Sequence, residues 1–263
     1  MVDFENKPSY GLNDLREIIS LLRGPDGCPW DSEQTHKSIR RNLLEEAYEA
    51  AEAIDDGDMD HLTEELGDVL MQVFFHADIA EKSGHFDLDK IADATCKKLI
   101  RRHPHVFGDL KARNGSESLV FWEEIKREEH KHDSVADAMR SVARSLPALW
   151  RAEKVQKKAA KIGFDWPEHS GALDALRSEL RELEDAISSG SGVGEELGDL
   201  IFSAVNVARF CGVDPEQALG ISCDKFISRF ACLERKARDQ GQRLDDMTLD
   251  EMEELYQQAK LEK

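Results

Sequence analysis

Residues 43–68 read LLEEAYEAAEAIDDGDMDHLTEELGD, and this stretch decides the fold. Apolar side chains recur at helical spacing on both sides of the polar turn DDGD, so it reads as two antiparallel helices joined near Gly57. Glu46 and Glu49 are three apart, as are Glu65 and Asp68, and residues at that spacing share one helix face. The midpoints of the two pairs lie equally far from Gly57. In a hairpin the four carboxylates therefore stand level, about 15 Å from the turn given the rise of a helix. An ExxE pair faces an ExxD pair.

The pattern occurs twice. Residues 178–199 read SELRELEDAISSGSGVGEELGD, in which Glu179 and Glu182 stand to Glu196 and Asp199 as the first four stand to each other, about a centre at Ser189. The pentapeptide EELGD is common to both, at 64–68 and 195–199. Four carboxylates this close cannot all stay ionised without compensation. A divalent cation supplies it, and oxygen-only ligands favour Mg²⁺, Mn²⁺ or Ca²⁺ over zinc, with Mg²⁺ accepting substrate phosphates beside one or two carboxylates. A single ExxE is more often a solvated helix face. Two copies in matching register favour the metal. Each copy also sets a glycine, Gly67 or Gly198, in an apolar helical run, where it costs about 1 kcal/mol relative to alanine. That predicts close backbone approach, by helix packing or by a ligand.

A third repeated element brings positive charge. Asp87 reads as an N-cap and is followed after eleven residues by Lys98, with Arg102 one turn on. Asp214, with Pro215 at the first helical position, leads after eleven residues to Lys225 and Arg229. KxxxR puts both cations on one face, and a lysine point charge with an arginine fork suits a polyphosphate.

The 3.6-residue period continues along nearly the whole chain, with helices expected over 12–22, 39–54, 62–80 and 88–102, then 146–162, 173–187, 195–210 and 215–237, and no alternating strands. The expected fold is all-α: two tandem four-helix units, each with an acidic hairpin. Domain bounds of 1–112 and 144–263 follow, the second expected to be catalytic, with 113–143 a loop and exposed charged helix that links them or contacts a dimer partner. The net charge of −19 argues against binding nucleic-acid polymers. Five cysteines without CxxC spacing suggest neither disulfides nor zinc and fit a reducing cytoplasm. No signal pattern or membrane-spanning run is present, so a cytoplasmic protein without membrane contact is expected.

EExxE followed by ELGD on a helix hairpin, then KxxxR, resembles the MazG-type all-α nucleoside triphosphate pyrophosphohydrolases. The resemblance covers nearly the full length, and the strings GCPWD (27–31), RRHPHVFGD (101–109), SLPAL (145–149) and GFDW (163–166) are similar to those of the two-copy bacterial members. It implies Mg²⁺-dependent hydrolysis of nucleoside triphosphates, ATP among them, to monophosphate and pyrophosphate, with Mn²⁺ as a substitute. The metal acidifies water for attack at the α-phosphorus and, with the cations, stabilises the charge that develops. By similarity Glu179, Glu182, Glu196 and Asp199 hold Mg²⁺, and Glu195 lies near the attacking water or the substrate. Lys225 and Arg229 grip phosphates, and Tyr256 stacks on base or ribose. The matching first-half set is Glu46, Glu49, Glu65, Asp68, Lys98 and Arg102. The resemblance also implies a homodimer, to which unpartnered apolar faces contribute. One departure from the family pattern is Ser178, where the first copy has Glu45 and the family a glutamate. The second half is nevertheless the expected active one, the first being structural, regulatory or weakly active.

Three other readings compete: a non-catalytic nucleotide-binding regulatory module, a structural acidic dimer, and a di-iron carboxylate protein. The last is disfavoured because its two ExxH strings, Glu33 to His36 and Glu129 to His132, fall outside the paired sites. His103 and His105 read as loop-closing histidines, Trp30 and Trp166 as packing at the hairpin base, and Cys28 as a small apolar filler.

Overall fold

A computed structural model describes residues 4–129 and 134–261, and these form thirteen α-helices with no strand among them. They divide into two compact units, one up to residue 130 and one from 131.

In the first unit α1 (Leu12–Leu22) and a one-turn α2 (Pro29–Glu33) lead into the long hairpin of α3 (Arg40–Asp56) and α4 (Met59–Lys82). α5 (Leu88–Arg102), α6 (Pro104–Phe107) and α7 (Gly115–Glu129) complete it. The hairpin turn is tight because Gly57 ends α3 at φ 69°, a left-handed conformation that costs a side-chain-bearing residue. Asp58 then caps α4, its carboxylate accepting from the amides of Asp60 and His61 at 3.1 and 3.0 Å. Buried Ala50 and Ala53 keep the inner face of α3 thin. The unit's core is Ile19, Ile39, Phe74 and Phe75, so α1 packs on the C-terminal half of α4 and leaves the carboxylate-bearing half to one side.

A buried charge ties this arrangement. Arg23 at the end of α1 donates from Nε to Asp78 of α4 at 2.7 Å and from its other nitrogens to the carbonyls of Asp31 and Gln34. Lys82 binds the same Asp78 oxygen, Oδ2, at 2.8 Å.

The second unit has α8 (Val135–Arg140), α9 (Ala148–Ala160), the hairpin α10 (His169–Ser189) and α11 (Val193–Phe210), then α12 (Pro215–Asp239) and α13 (Leu249–Leu261) after a 3₁₀ turn. Here Gly190 closes α10 at φ 71°, and Gly192 precedes α11 with no side chain to cap it. Asp214 caps α12 as expected and also accepts from the indole of Trp150 at 2.9 Å, which joins α9 to α12. Arg209 of α11 holds Asp165, in the loop after α9, through both carboxylate oxygens, at 2.8 Å for one. Leu233, Ala237 and Leu255 form the core between α12 and α13.

The structure differs from the sequence reading in five elements. α2, α6, α8 and α13 were not expected, being short or lying beyond the repeated pattern. α7 begins at Gly115, inside the expected loop, and is not a solvated helix, since it packs against α5. Residues 130–133 of the expected linker, including His132, lie outside the described residues.

Candidate active site

The first hairpin brings Glu46, Glu49 and Glu65 together, one oxygen of each lying within 4.8 Å of the others. Asp68 stands outside that group, but its charge reaches both Glu46 and Glu65. Burial, then the negative charge of Asp68, Glu49 and Glu65, pushes the Glu46 carboxyl above its ordinary value. Glu65 is raised by burial and then by Glu49. Its Oε1 lies 3.1 Å from Nε2 of His61, whereas its buried Oε2 has no hydrogen-bond partner among the described residues.

In the second hairpin the group is Glu179, Glu196 and Asp199, again within 4.8 Å. Glu182 falls outside it and accepts from the Ser178 hydroxyl at 3.2 Å, though its charge helps raise both Glu179 and Glu196, after burial. Glu195 is exposed in the first turn of α11. Ser178 deprives the second centre of little, because its counterpart Glu45 is turned to Arg41 at 2.6 Å.

These residues fit a hard divalent cation. Both groups are oxygen-only, both contain carboxyls pushed towards protonation by burial and then by crowding, and Glu65 carries a buried oxygen that no donor among the described residues satisfies.

The cations divide between the halves. Lys225 is exposed and Arg229 half-buried on α12, and neither has an ion-pair partner among the described residues. Tyr256 of α13 is brought beside Phe226, the neighbour of Lys225, with ring centroids 5.7 Å apart. In the first half Lys98 is likewise exposed, but Arg102 departs from its expected role as a phosphate grip. Its fork is taken by Glu129 of α7, at 3.0 Å from Nε, and lies over the Trp122 ring at 5.2 Å. A planar guanidinium matches a carboxylate in two hydrogen bonds, so Glu129 holds it well, and the pairing lowers the Glu129 carboxyl. Nothing in the spacing of α5 announced this partner, 27 residues away.

A Cβ built on Gly67 or Gly198 would meet no atom within 4 Å. Packing within the unit does not explain them. Trp166 lies against Gly171 at the start of α10 but is still half exposed, and Trp30 is largely exposed. His103 closes its loop on the Leu99 carbonyl at 2.7 Å, but the buried Nδ1 of His105 has no partner. His36, the histidine of the first ExxH string, stacks on His76 with Nδ1 atoms 2.7 Å apart.

A MazG nucleotide pyrophosphohydrolase domain matches the chain twice, over residues 34–107 and 168–231, which are the two hairpins and the helices that follow them. The chain belongs to the MazG family. The nucleoside triphosphate pyrophosphohydrolase of Escherichia coli (strain K12) is 43% identical over 254 residues, covering 95% of this chain and 97% of that protein. The protein named nucleoside triphosphate pyrophosphohydrolase/pyrophosphatase MazG from Thermotoga maritima is 41% identical over 95% of both. YabN of Bacillus subtilis is 46% identical over 95% of this chain, which spans about half (52%) of that longer relative. Membership in the MazG family thus extends to both hairpins, and the carboxylate groups of each lie inside the matched segments.

Proposed function

We propose that this MazG chain hydrolyses nucleoside triphosphates to nucleoside monophosphate and pyrophosphate, with Mg²⁺ as its metal and residues 144–263 as the catalytic domain. One observation carries the reading: Glu179, Glu196 and Asp199 converge within 4.8 Å although burial, then neighbouring carboxylates, Asp199 among them, make Glu179 and Glu196 harder to ionise. Such strain persists where a ligand relieves it. A divalent cation at this centre supplies positive charge and lowers the pKa of water.

The chain's own residues do the rest. Lys225 and Arg229, free of protein carboxylates, bind the phosphates, and Tyr256 beside Phe226 offers a face to base or ribose. Water adds to the α-phosphorus as the bond to the bridging oxygen breaks, and pyrophosphate leaves. Glu195, exposed next to the cluster, receives the water's proton. The cations neutralise charge building on the leaving group. In the first half the Glu129 clamp on Arg102 leaves Lys98 as the cation free to act, which supports a structural or regulatory part for that half. The homodimer belongs to the same proposal, supported by the exposed Leu219, Ile221, Phe226 and Ile227 of α12. A cytoplasmic setting fits five cysteines that form no disulfide among the described residues, and no described helix is long and apolar enough to cross a membrane.

Product identity tests the reaction. Purified protein with Mg²⁺ and a panel of ribo- and deoxyribonucleoside triphosphates is expected to give monophosphate and pyrophosphate on anion exchange. The activity should fall at least about 100-fold in Glu196→Ala and persist in Glu65→Ala. Diphosphate with orthophosphate rejects attack at the α-phosphorus, and binding without turnover favours a regulatory nucleotide-binding module instead.

A further inference from the structure

The two carboxylate centres are not equivalent, and the difference lies one helical turn before Glu65. His61 occupies that place in the first hairpin, while Gly192, with no side chain, occupies it in the second, four residues before Glu196. The start of α4 is built to fix the imidazole. Asp58 caps the helix and accepts from the amide of His61 itself at 3.0 Å, so the first turn is set before the side chain is considered. At i,i+4 the ring then reaches Glu65, with Nε2 3.1 Å from Oε1. The Glu65 side chain is 9% exposed and His61 42%, so the ring bridges from solvent to a buried acid. Oε2 of the same carboxylate is buried and has no partner.

We propose that His61 is a positioning residue: it holds Glu65 by one oxygen and so presents the other to a divalent cation, making the first centre the tighter of the two. This rests on the reading that the carboxylate groups hold such a cation. A ligand carboxylate fixed beforehand loses less freedom on binding, and partners that orient metal ligands in this way are worth about 10-fold or more in affinity. Glu196 has no holder of this kind. Its centre gains a cation at the expense of ordering its own side chain. The first half then serves as a resident cation site, filled at concentrations where the second still exchanges with solvent.

The test uses the full chain carrying Glu196→Ala and Asp199→Ala, so that Mn²⁺ reports on the first centre alone, with free Mn²⁺ followed by electron paramagnetic resonance at one fixed pH. His61→Ala in that background is expected to raise the Mn²⁺ dissociation constant about 10-fold, and His61→Gln, whose amide N–H can donate to the same oxygen, to recover most of it. An unchanged constant in His61→Ala, or equal losses in both variants, overturns the positioning role. The reciprocal chain, Glu46→Ala with Glu65→Ala, is expected to bind Mn²⁺ more weakly than the first background. Equal affinity overturns the asymmetry. Should adding Glu65→Ala to the first background leave Mn²⁺ uptake unaltered, it is the cation reading itself that fails, and the inference with it.

Discussion

Without metal the crowded carboxyls work against the fold. Glu179 and Glu196 have folded-state values raised above the ordinary 4.5, so the folded chain binds more protons than the unfolded chain between that value and the raised ones. Their contribution to stability is therefore present below pH 4.5 and is lost as pH rises through the folded values. Glu179→Gln removes one of these groups at little change in shape. In chelator its melting midpoint should exceed that of the unaltered protein at pH 7, by a margin that shrinks as pH falls to 5, and Mg²⁺ should abolish the difference. A calorimetric midpoint at or below the parent at pH 7 would mean that the acids are not in conflict. At this scale the sequence revealed what helical periodicity controls, namely which carboxylates share a face. It concealed pairings such as Arg102 with Glu129, because a contact between separate helices leaves no trace in local spacing. His61 was legible at i,i+4 from Glu65, but an acid and a histidine one turn apart ordinarily mark nothing more than a solvated surface.

Two glycines within one hairpin should respond in opposite directions to the same substitution. Gly190 ends α10 at φ 71° with open space around it, so Gly190→Ala adds backbone strain alone and should destabilise by about 1–2 kcal/mol. Gly198 is helical, with equally open space, so Gly198→Ala should stabilise the metal-free chain by up to about 1 kcal/mol. If substrate approaches the backbone there, activity falls as stability rises, and urea unfolding beside turnover assays reads both. The hairpins and α1, α5 and α12 were evident from apolar period and caps, α1 and α5 to the residue. α13 was hidden, although Tyr256 within it was singled out, because its outer face is as acidic as a solvated tail and its packing partner α12 lies earlier in the chain. α7 was taken for a solvated helix for the same kind of reason: its charges were visible and the underside that meets Arg102 was not.

The whole chain leaves much apolar surface uncovered, α12 above all, with Phe226 and Ile227 more than half exposed. Contiguous faces of this kind are seldom left to water. Light scattering at micromolar concentration should therefore give twice the 29.7 kDa of one chain, and Ile227→Glu should shift the mass towards one. A monomeric mass in the unaltered protein would remove the dimer from the proposal. The duplication itself was plain in the repeated pentapeptide, but a repeat says that two parts are alike and is silent on how they are kept apart.

Two ion pairs answer that. Asp78 and Arg209 sit at the same place, ten residues beyond Asp68 and Asp199 respectively, yet carry opposite charge, and so do their partners Arg23 and Asp165. An entry segment laid on the wrong hairpin would set Arg23 against Arg209, or Asp165 against Asp78, like charge against like. A tandem chain in which each hairpin emerges beside a near copy of itself thus carries a lock of reversed polarity in each half, and either key opens one door.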